Sequence, residues 1–155
     1  MADDVRIRRA RPDDRQRCLE LLGLLGGPDG RVVPKAAAAV FEDLTKGARG
    51  EVWVAERDGR ILGMATQSFN LAMRYGGEYA QLEELIVDPD ARGLKLGARL
   101  LQAAIESARA RGAAEYGLYL LPWTEHNLPF YEKFGLQRVG SELRMRLDAA
   151  EAQRK

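Results

Sequence analysis

The chain has 155 residues, 30% of them charged, and a formal net charge of +1. The length predicts one domain, residues 1–155, with a sizeable core, and the balanced charge argues against a nucleic-acid partner. With one cysteine and one histidine, the chain can form neither an intramolecular disulfide nor a structural zinc site. The lack of a leader or of a long apolar run predicts a cytoplasmic protein without membrane contact.

The first part of the chain predicts one strand and two helices. Val5 and Ile7 alternate with arginines, as in a short strand with one buried face. A glycine-rich turn at residues 26–30 separates the helices, and the second one begins near Pro34 and closes at Gly47. The first helix carries its apolar side at Cys18, Leu19, Leu21, Leu22 and Leu25.

Residues 51–87 change to the two-residue period of strands and predict a three-stranded antiparallel meander. Asp58-Gly59 is typical of a hairpin turn, and Gly76-Gly77 lies near the tip of the next turn. The third strand ends in the apolar run Leu85-Ile86-Val87, which Pro89 stops because proline cannot donate to a ladder.

The last part predicts a long helix that stops at Gly112, a strand over 116–121, and a short helix from Leu128 to Phe134. One or two final strands are predicted from Leu136, Val139, Leu143 and Met145. The order β-α-α-β-β-β-α-β-α-β, with a possible extra final strand, indicates an α+β fold around a mixed sheet.

The turn before the long helix is a candidate diphosphate cradle. Gly93 and Gly97 permit a sharp turn and a close backbone approach. The first turn of a helix carries free N–H groups and the positive end of the dipole, and Arg92 and Lys95 add cations. An ordinary strand-to-helix connection with two glycines would give the same pattern.

Two blocks together resemble the signature of the GNAT N-acetyltransferase superfamily, which implies a three-layer fold. They are Leu85-Ile86-Val87-Asp88-Pro89 with Arg92-Gly93-Leu94-Lys95-Leu96-Gly97, and Asn127-Leu128-Pro129-Phe130-Tyr131-Glu132-Lys133-Phe134-Gly135-Leu136. The second block and Glu83-Glu84 are also similar to the glucosamine-phosphate N-acetyltransferase branch. Lys95 replaces a family glycine, which the loop tolerates if the backbone dihedrals of residue 95 are ordinary.

The resemblance implies a transferase, specifically an acyltransferase, that moves an acetyl group from acetyl-CoA to a primary amine by direct attack and without a metal. Backbone N–H groups of residues 93 to 98 would hold the pyrophosphate, and the backbone of Leu85 and Val87 would pair with the pantetheine arm. The implied CoA-binding residues are Leu85, Ile86, Val87, Arg92, Gly93, Leu94, Lys95, Leu96, Gly97, Ala98, Asn127, Phe130 and Tyr131.

Glu83 and Glu84 are the candidates for the base that accepts the amine proton. Adjacent strand residues face opposite sides of a sheet, so we expect only one to reach the substrate. Glu83 shares parity with Leu85 and Val87 and is preferred; a salt-bridged or solvated glutamate is the alternative.

By the same resemblance, Tyr131 would donate a proton to the departing thiolate, and a core tyrosine is the alternative. Asn127 could bond the pantetheine or cap the helix that follows it.

The acceptor is predicted to be a small amine or an amino sugar. A protein or peptide amine, and a catalytically silent CoA-binding regulatory module, are the alternatives. Arg74 and Tyr75 could line the acceptor mouth, or they form an exposed loop tip. A homodimer is possible, because dimers are frequent in the family that the chain resembles.

Overall fold

A computed structural model describes residues 4–25 and 32–147, so the predicted turn at 26–30 lies outside the described residues. The strands and helices follow in the order β1 (Arg6–Arg9), α1 (Arg15–Gly23), α2 (Ala37–Thr45), β2 (Gly50–Arg57), β3 (Arg60–Ala72), β4 (Gly77–Val87), α3 (Leu96–Arg111), β5 (Tyr116–Leu118) and α4 (Leu128–Glu132). Short 3-10 turns precede α1, β4, α3 and α4.

The five strands form one mixed sheet in the order β1-β2-β3-β4-β5. The first four pair antiparallel with their neighbours, and β5 runs parallel to β4. Asp58 and Gly59 both have positive φ, at 53° and 79°, which is the backbone geometry of a type I′ hairpin. The predicted hairpin and the mixed α+β sheet are therefore confirmed.

Helices cover both faces of the sheet, which makes three layers. On the face that we call the α3 face, Leu96, Leu100 and Leu101 of α3 pack on the strands, and α4 packs beside them. These residues follow the helical spacing that puts apolar side chains on one side. On the opposite face, called the α1/α2 face, Cys18 of α1 and Phe41 of α2 join the core.

Glu51 is a buried carboxylate that links three strands and a helix. Its side chain on β2 is 7% exposed and accepts hydrogen bonds from four donors. These are Arg9 at 3.0 Å, Trp53 at 2.9 Å, Gln67 at 2.9 Å and Ser107 of α3 at 2.9 Å. A buried charge is tolerated only where donors replace its water shell, and these four do so.

The final strand predicted from Leu136, Val139, Leu143 and Met145 is not found in residues 136–147, which contain neither helix nor strand. A strand forms only where a neighbouring edge accepts its ladder hydrogen bonds, and in this chain the segment pairs with no strand. β5 is also shorter than predicted and ends at Leu118.

We predict that Glu51→Gln lowers the free energy of unfolding by about 3 kcal/mol, because it removes a buried charge-assisted network and leaves donors unpaired. Urea unfolding followed by circular dichroism measures the change. The control is Glu42→Gln, whose ion pair with Arg15 is about half exposed and should change stability by less than about 1 kcal/mol. Equal stabilities of the two variants would contradict the prediction.

Candidate functional site

One extra residue in β4 interrupts the regular pairing of the sheet. Thr66 of β3 pairs with Glu84, but the next residue, Gln67, pairs with Leu82. Glu83 is therefore the additional residue of a β-bulge. Bulges bend a strand, increase its twist and redirect side chains, and they are common beside active sites.

The bulge turns both glutamates to the α1/α2 face. The Ser68 hydroxyl donates a 2.6 Å hydrogen bond to Glu83, and the Thr66 hydroxyl donates to Glu84. Thr66 and Ser68 lie two residues apart in a regular stretch of β3, so they share a face. The prediction that the two glutamates face opposite sides is wrong, because alternation does not hold across a bulge.

The parity assigned to Glu83 is wrong for the same reason. The side chains of Leu85 and Val87 pack against the core of the α3 face, which is opposite to the face of Glu83. Ile86 is buried in the core of the α1/α2 face.

Beyond the bulge, β4 and β5 separate. Their parallel pairs are Ala80 with Tyr116, Gln81 with Gly117, and Leu82 with Leu118. No further pair between these strands occurs in the described part of the chain. The edge of β4 from residue 83 to residue 87 therefore faces an opening in the sheet.

Leu85 and Val87 turn their backbone groups toward this opening. The Asp88 N–H donates to the Leu62 carbonyl of β3 at 2.8 Å, and the direction of the N–H groups alternates along a strand. Ile86 therefore also faces β3, whereas Leu85 and Val87 face away from it. Such a row of ladder groups can pair with an extended ligand.

The N-terminus of α3 adjoins the opening. A Cβ atom at Gly97 would lie 3.8 Å from the Phe130 ring and 4.0 Å from Val87, so β4, α3 and α4 meet at this glycine. The first N–H groups of this 16-residue helix have no intrahelical acceptor, and the helix dipole is positive there. This end of α3 suits an anion.

Lys95 immediately precedes α3 in a left-handed conformation, with φ 56° and ψ 33°. Ordinary dihedrals at residue 95, the condition under which the loop would tolerate the loss of the family glycine, are therefore not found. Non-glycine residues pay about 1–2 kcal/mol for this conformation. Lys95 thus has the backbone geometry that glycine adopts readily and adds an ammonium group.

A cavity of about 640 Å³ lies between α3 and α4. Lys95, Gly97, Ala98 and Phe130, which the sequence predicts to bind the donor, line it. Sequence reasoning missed the other lining residues: Gln102, Ile105, Arg109, Lys133 and Phe134. Positions 98, 102, 105 and 109 repeat at helical spacing, and this signal could have identified the α3 wall.

Tyr131 of α4 packs against the core of the α3 face. Its ring packs edge-on against Phe130, with centroids 5.1 Å apart, and burial raises its pKa. The Tyr116 hydroxyl of β5 is buried without a hydrogen-bond partner in the described residues. Burial raises the pKa of Tyr116, with further contributions from Tyr131, Glu51 and Glu83, so both phenols are protonated near neutral pH.

The remaining predicted residues lie around these features. Asn127 is the N-cap residue of α4 but makes no capping hydrogen bond with its side chain. Arg92 and Gly93 are exposed, and Leu94 packs partly buried against the core of the α3 face. Leu96 is only 2% exposed, so it can offer a ligand its backbone but not its side chain.

A polar surface extends from the glutamates along the α1/α2 face. Asn70 donates to the Ser68 hydroxyl at 3.0 Å and pairs across the sheet with Tyr79. The Arg74 guanidinium lies 4.7 Å from the ring centroid of Tyr75 and 5.3 Å from that of Tyr79. Arg74 has no carboxylate partner within residues 4–25 and 32–147, so its charge is available to a ligand.

In the residues that the structure describes, no three His, Cys, Asp or Glu side chains form a group that could hold a metal ion. No helix among them is both long enough and apolar enough to cross a membrane. The cytoplasmic location and the absence of a nucleic-acid partner stay predictions.

Residues 17–136 match the model of the Acetyltransferase (GNAT) family. The chain is 31% identical over 148 residues to the glucosamine 6-phosphate N-acetyltransferase of Trypanosoma brucei brucei, covering 94% of this chain and 96% of that protein. It is 35% identical over 60 residues to the aminoalkylphosphonate N-acetyltransferase of Salmonella typhimurium, 39% of each chain. The crystal structure of a transcriptional regulator from Bacillus halodurans C-125 has a TM-score of 0.80 at 28% identity, covering 92% of this chain and 99% of that one.

Proposed function

Because the chain belongs to the GNAT acetyltransferase family and is thus an acetyl-CoA-dependent N-acetyltransferase, we propose that its acceptor is a small primary amine bearing a phosphoryl or phosphonyl group, which attacks the thioester directly. The observation that carries this proposal is the open edge of β4. The N-terminus of α3 adjoins this edge, and the polar α1/α2 face beside it carries the carboxylates of Glu83 and Glu84.

The residues around the opening fit a donor that carries a diphosphate and an extended amide arm. The N–H groups at the start of α3 and the Lys95 ammonium would hold the diphosphate. Leu85 and Val87 would pair with the arm as an added strand does, and Asn127, whose side chain makes no capping bond, could bond the same arm. Acetyl-CoA supplies the activated acyl group as its thioester.

Glu83 is our candidate for the general base. A simple alkyl amine is mostly protonated near neutral pH, so a carboxylate must accept a proton, directly or through water, before or during attack. Glu83 is exposed, whereas Glu84 is partly buried and bonded to Thr66 through both its carboxylate and its backbone N–H. Glu84 would therefore hold the bulge in place, and Glu83 would accept the proton of the amine.

Tyr131 is our candidate for the general acid. Its raised pKa keeps the phenol protonated, as donation to a departing thiolate requires. It packs on the α3 face of the sheet, whereas Glu83 lies on the α1/α2 face. Glu83 would accept the amine proton on one side of the opening, and Tyr131 would donate its phenolic proton to the thiolate on the opposite side. The two groups would therefore not compete for the same proton.

The names of two relatives support the acceptor class. Glucosamine 6-phosphate and aminoalkylphosphonates share a primary amine and a phosphorus oxyanion. In this chain, the α1/α2 face carries Glu83 for the amine and Arg74 for an anion. A guanidinium binds such oxyanions through charge-assisted hydrogen bonds.

We predict a kcat/KM about tenfold or more higher for a phosphorus-bearing amine than for its neutral counterpart, since each charge-assisted hydrogen bond contributes about 1.5–3 kcal/mol. Free thiol release from acetyl-CoA would be measured for glucosamine 6-phosphate against glucosamine, and for 2-aminoethylphosphonate against ethanolamine. Arg74→Gln should reduce the preference. Equal rates within each pair, or a faster reaction with a lysine peptide, would contradict this acceptor class.

Tyr131→Phe should lower kcat by about 100-fold, because the thiolate would leave without its proton. The dissociation constant for acetyl-CoA, measured by calorimetry, should stay within about twofold, since the phenyl ring still packs. Tyr119→Phe, which removes the hydroxyl of a more exposed tyrosine, is the matched control and should retain wild-type activity. An unchanged kcat in Tyr131→Phe would remove this residue from the acid role.

Glu83→Gln should lower kcat/KM most at low pH. There the acceptor is almost fully protonated and depends on a base, whereas at higher pH more of the amine is already neutral. The pH–rate profile from about pH 6 to about pH 9 measures this dependence. Glu84→Gln is the adjacent control and should have the smaller effect; a larger one, or parallel profiles for Glu83→Gln and wild type, would count against Glu83.

A further inference from the structure

A row of polar side chains on β3 accompanies the two glutamates on the α1/α2 face. Thr66, Ser68 and Asn70 occupy alternate positions of this strand, so their side chains share a face. Thr66 bonds to Glu84 through both the carboxylate and the backbone N–H of that residue. Ser68 and Asn70 belong to a separate chain of hydrogen bonds, which ends at Glu83.

The chemistry of the three groups fixes the direction of each hydrogen bond in this chain. The amide nitrogen of Asn70 lies 3.0 Å from the hydroxyl oxygen of Ser68, and an amide nitrogen can only donate. The single proton of the Ser68 hydroxyl is therefore left for another partner. That partner is the Glu83 carboxylate, whose Oε2 lies 2.6 Å away and, when ionised, can only accept. The amide thus orients the hydroxyl, and the hydroxyl orients the carboxylate.

The bulge explains why Glu83 depends on this support. As the additional residue of β4, it has no residue directly opposite on β3, and cross-strand neighbours are what usually restrict a side chain on a sheet. Ser68 pairs with Gln81, so its hydroxyl reaches Glu83 diagonally across the ladder. An exposed glutamate without such a contact would be free to change rotamer.

The chain of hydrogen bonds uses only one oxygen of the Glu83 carboxylate. Within residues 4–25 and 32–147, Oε1 accepts no hydrogen bond, and the side chain is exposed. A hydrogen bond to an ionised carboxylate is about twice as strong as one between neutral groups. The bond from Ser68 therefore restricts the carboxylate and leaves its second oxygen open to an amine.

We propose that Ser68 and Asn70 are positioning residues that hold Glu83 in the orientation in which it accepts the proton of the acceptor amine. The inference rests on the proposed role of Glu83 as the general base. As the amine nitrogen forms its bond to the acetyl carbon, its proton moves to Oε1 of Glu83. Ser68 keeps its own proton throughout and donates it in a hydrogen bond to Oε2.

A double-mutant cycle separates positioning from direct contact with the acceptor. The acceptor is the amine that reacts fastest in the comparison of amines proposed above. Ser68→Ala should lower kcat about tenfold near neutral pH and leave KM for the acceptor nearly unchanged, since a misplaced catalytic group can lose up to about 100-fold in rate. In a Glu83→Gln background the same substitution should change kcat by less than about twofold, because the base that Ser68 positions is already absent. Ser68→Thr keeps the hydroxyl and should retain most of the wild-type rate.

Asn70→Asp tests the direction of the chain of hydrogen bonds. The new side chain has nearly the same shape, but its carboxylate can only accept, so it would draw the Ser68 proton away from Glu83. We expect kcat to fall at least as far as in Ser68→Ala. Asn70→Ala, which leaves the Ser68 hydroxyl free to donate to Glu83, should have the smaller effect. Wild-type kcat in Asn70→Asp would overturn the role of Asn70.

Ser107→Ala is the matched control, because the Ser107 hydroxyl also donates to a glutamate, the buried Glu51, at 2.9 Å. This variant should unfold at lower urea but keep the wild-type kcat. A higher acceptor KM without a lower kcat in Ser68→Ala, or an equal loss in the Glu83→Gln background, would show direct contact with the acceptor and overturn positioning while the base stands. Wild-type activity of Glu83→Gln would overturn the general base itself, and the positioning role with it.

Discussion

The bulge at Glu83 is the constraint on which the site depends. A regular β4 would place Glu83 and Glu84 on opposite faces, and it could continue pairing with β5. The extra residue puts both carboxylates beside Ser68 and Thr66, and the pairing with β5 ends at Leu82, immediately before it. The twist that a bulge adds is consistent with that divergence. The proposed proton acceptor and the proposed donor cleft thus come from the same irregularity in one strand.

The start of α3 shows a second departure from regular geometry. Lys95 has a left-handed backbone that glycine would adopt without strain. The conformation is maintained by its surroundings, since Leu96 is buried and Gly97 adjoins β4 and α4. Lys95 also lines the cavity between α3 and α4, together with the basic residues Arg109 and Lys133. Strain that is tolerated at a ligand-facing turn is common at functional sites.

Local signals predicted much of this fold, and the failures have physical reasons. Asp58-Gly59 was sufficient to predict the hairpin, and the apolar spacing was sufficient to predict α3. A hairpin turn and an amphipathic helix depend on residues that are close together in the chain. The faces of Glu83 and Glu84 could not be predicted, since a bulge depends on how β3 and β4 align across the sheet. The alternation at 139–147 predicts a strand, and this prediction is wrong, because a strand also needs a neighbouring edge and the segment pairs with none in the structure.

The position of the proposed acid and base on opposite faces of the sheet also constrains how the site can vary. Glu83 and Arg74 lie on the face where an acceptor would approach, whereas Tyr131 and the cavity between α3 and α4 lie on the other. A substitution at Arg74 would therefore change the contacts of the proposed acceptor and leave the residues that line the cavity between α3 and α4 in place. The Tyr116 hydroxyl, which is buried and has no hydrogen-bond partner among the described residues, lies in β5 on the side of the proposed donor.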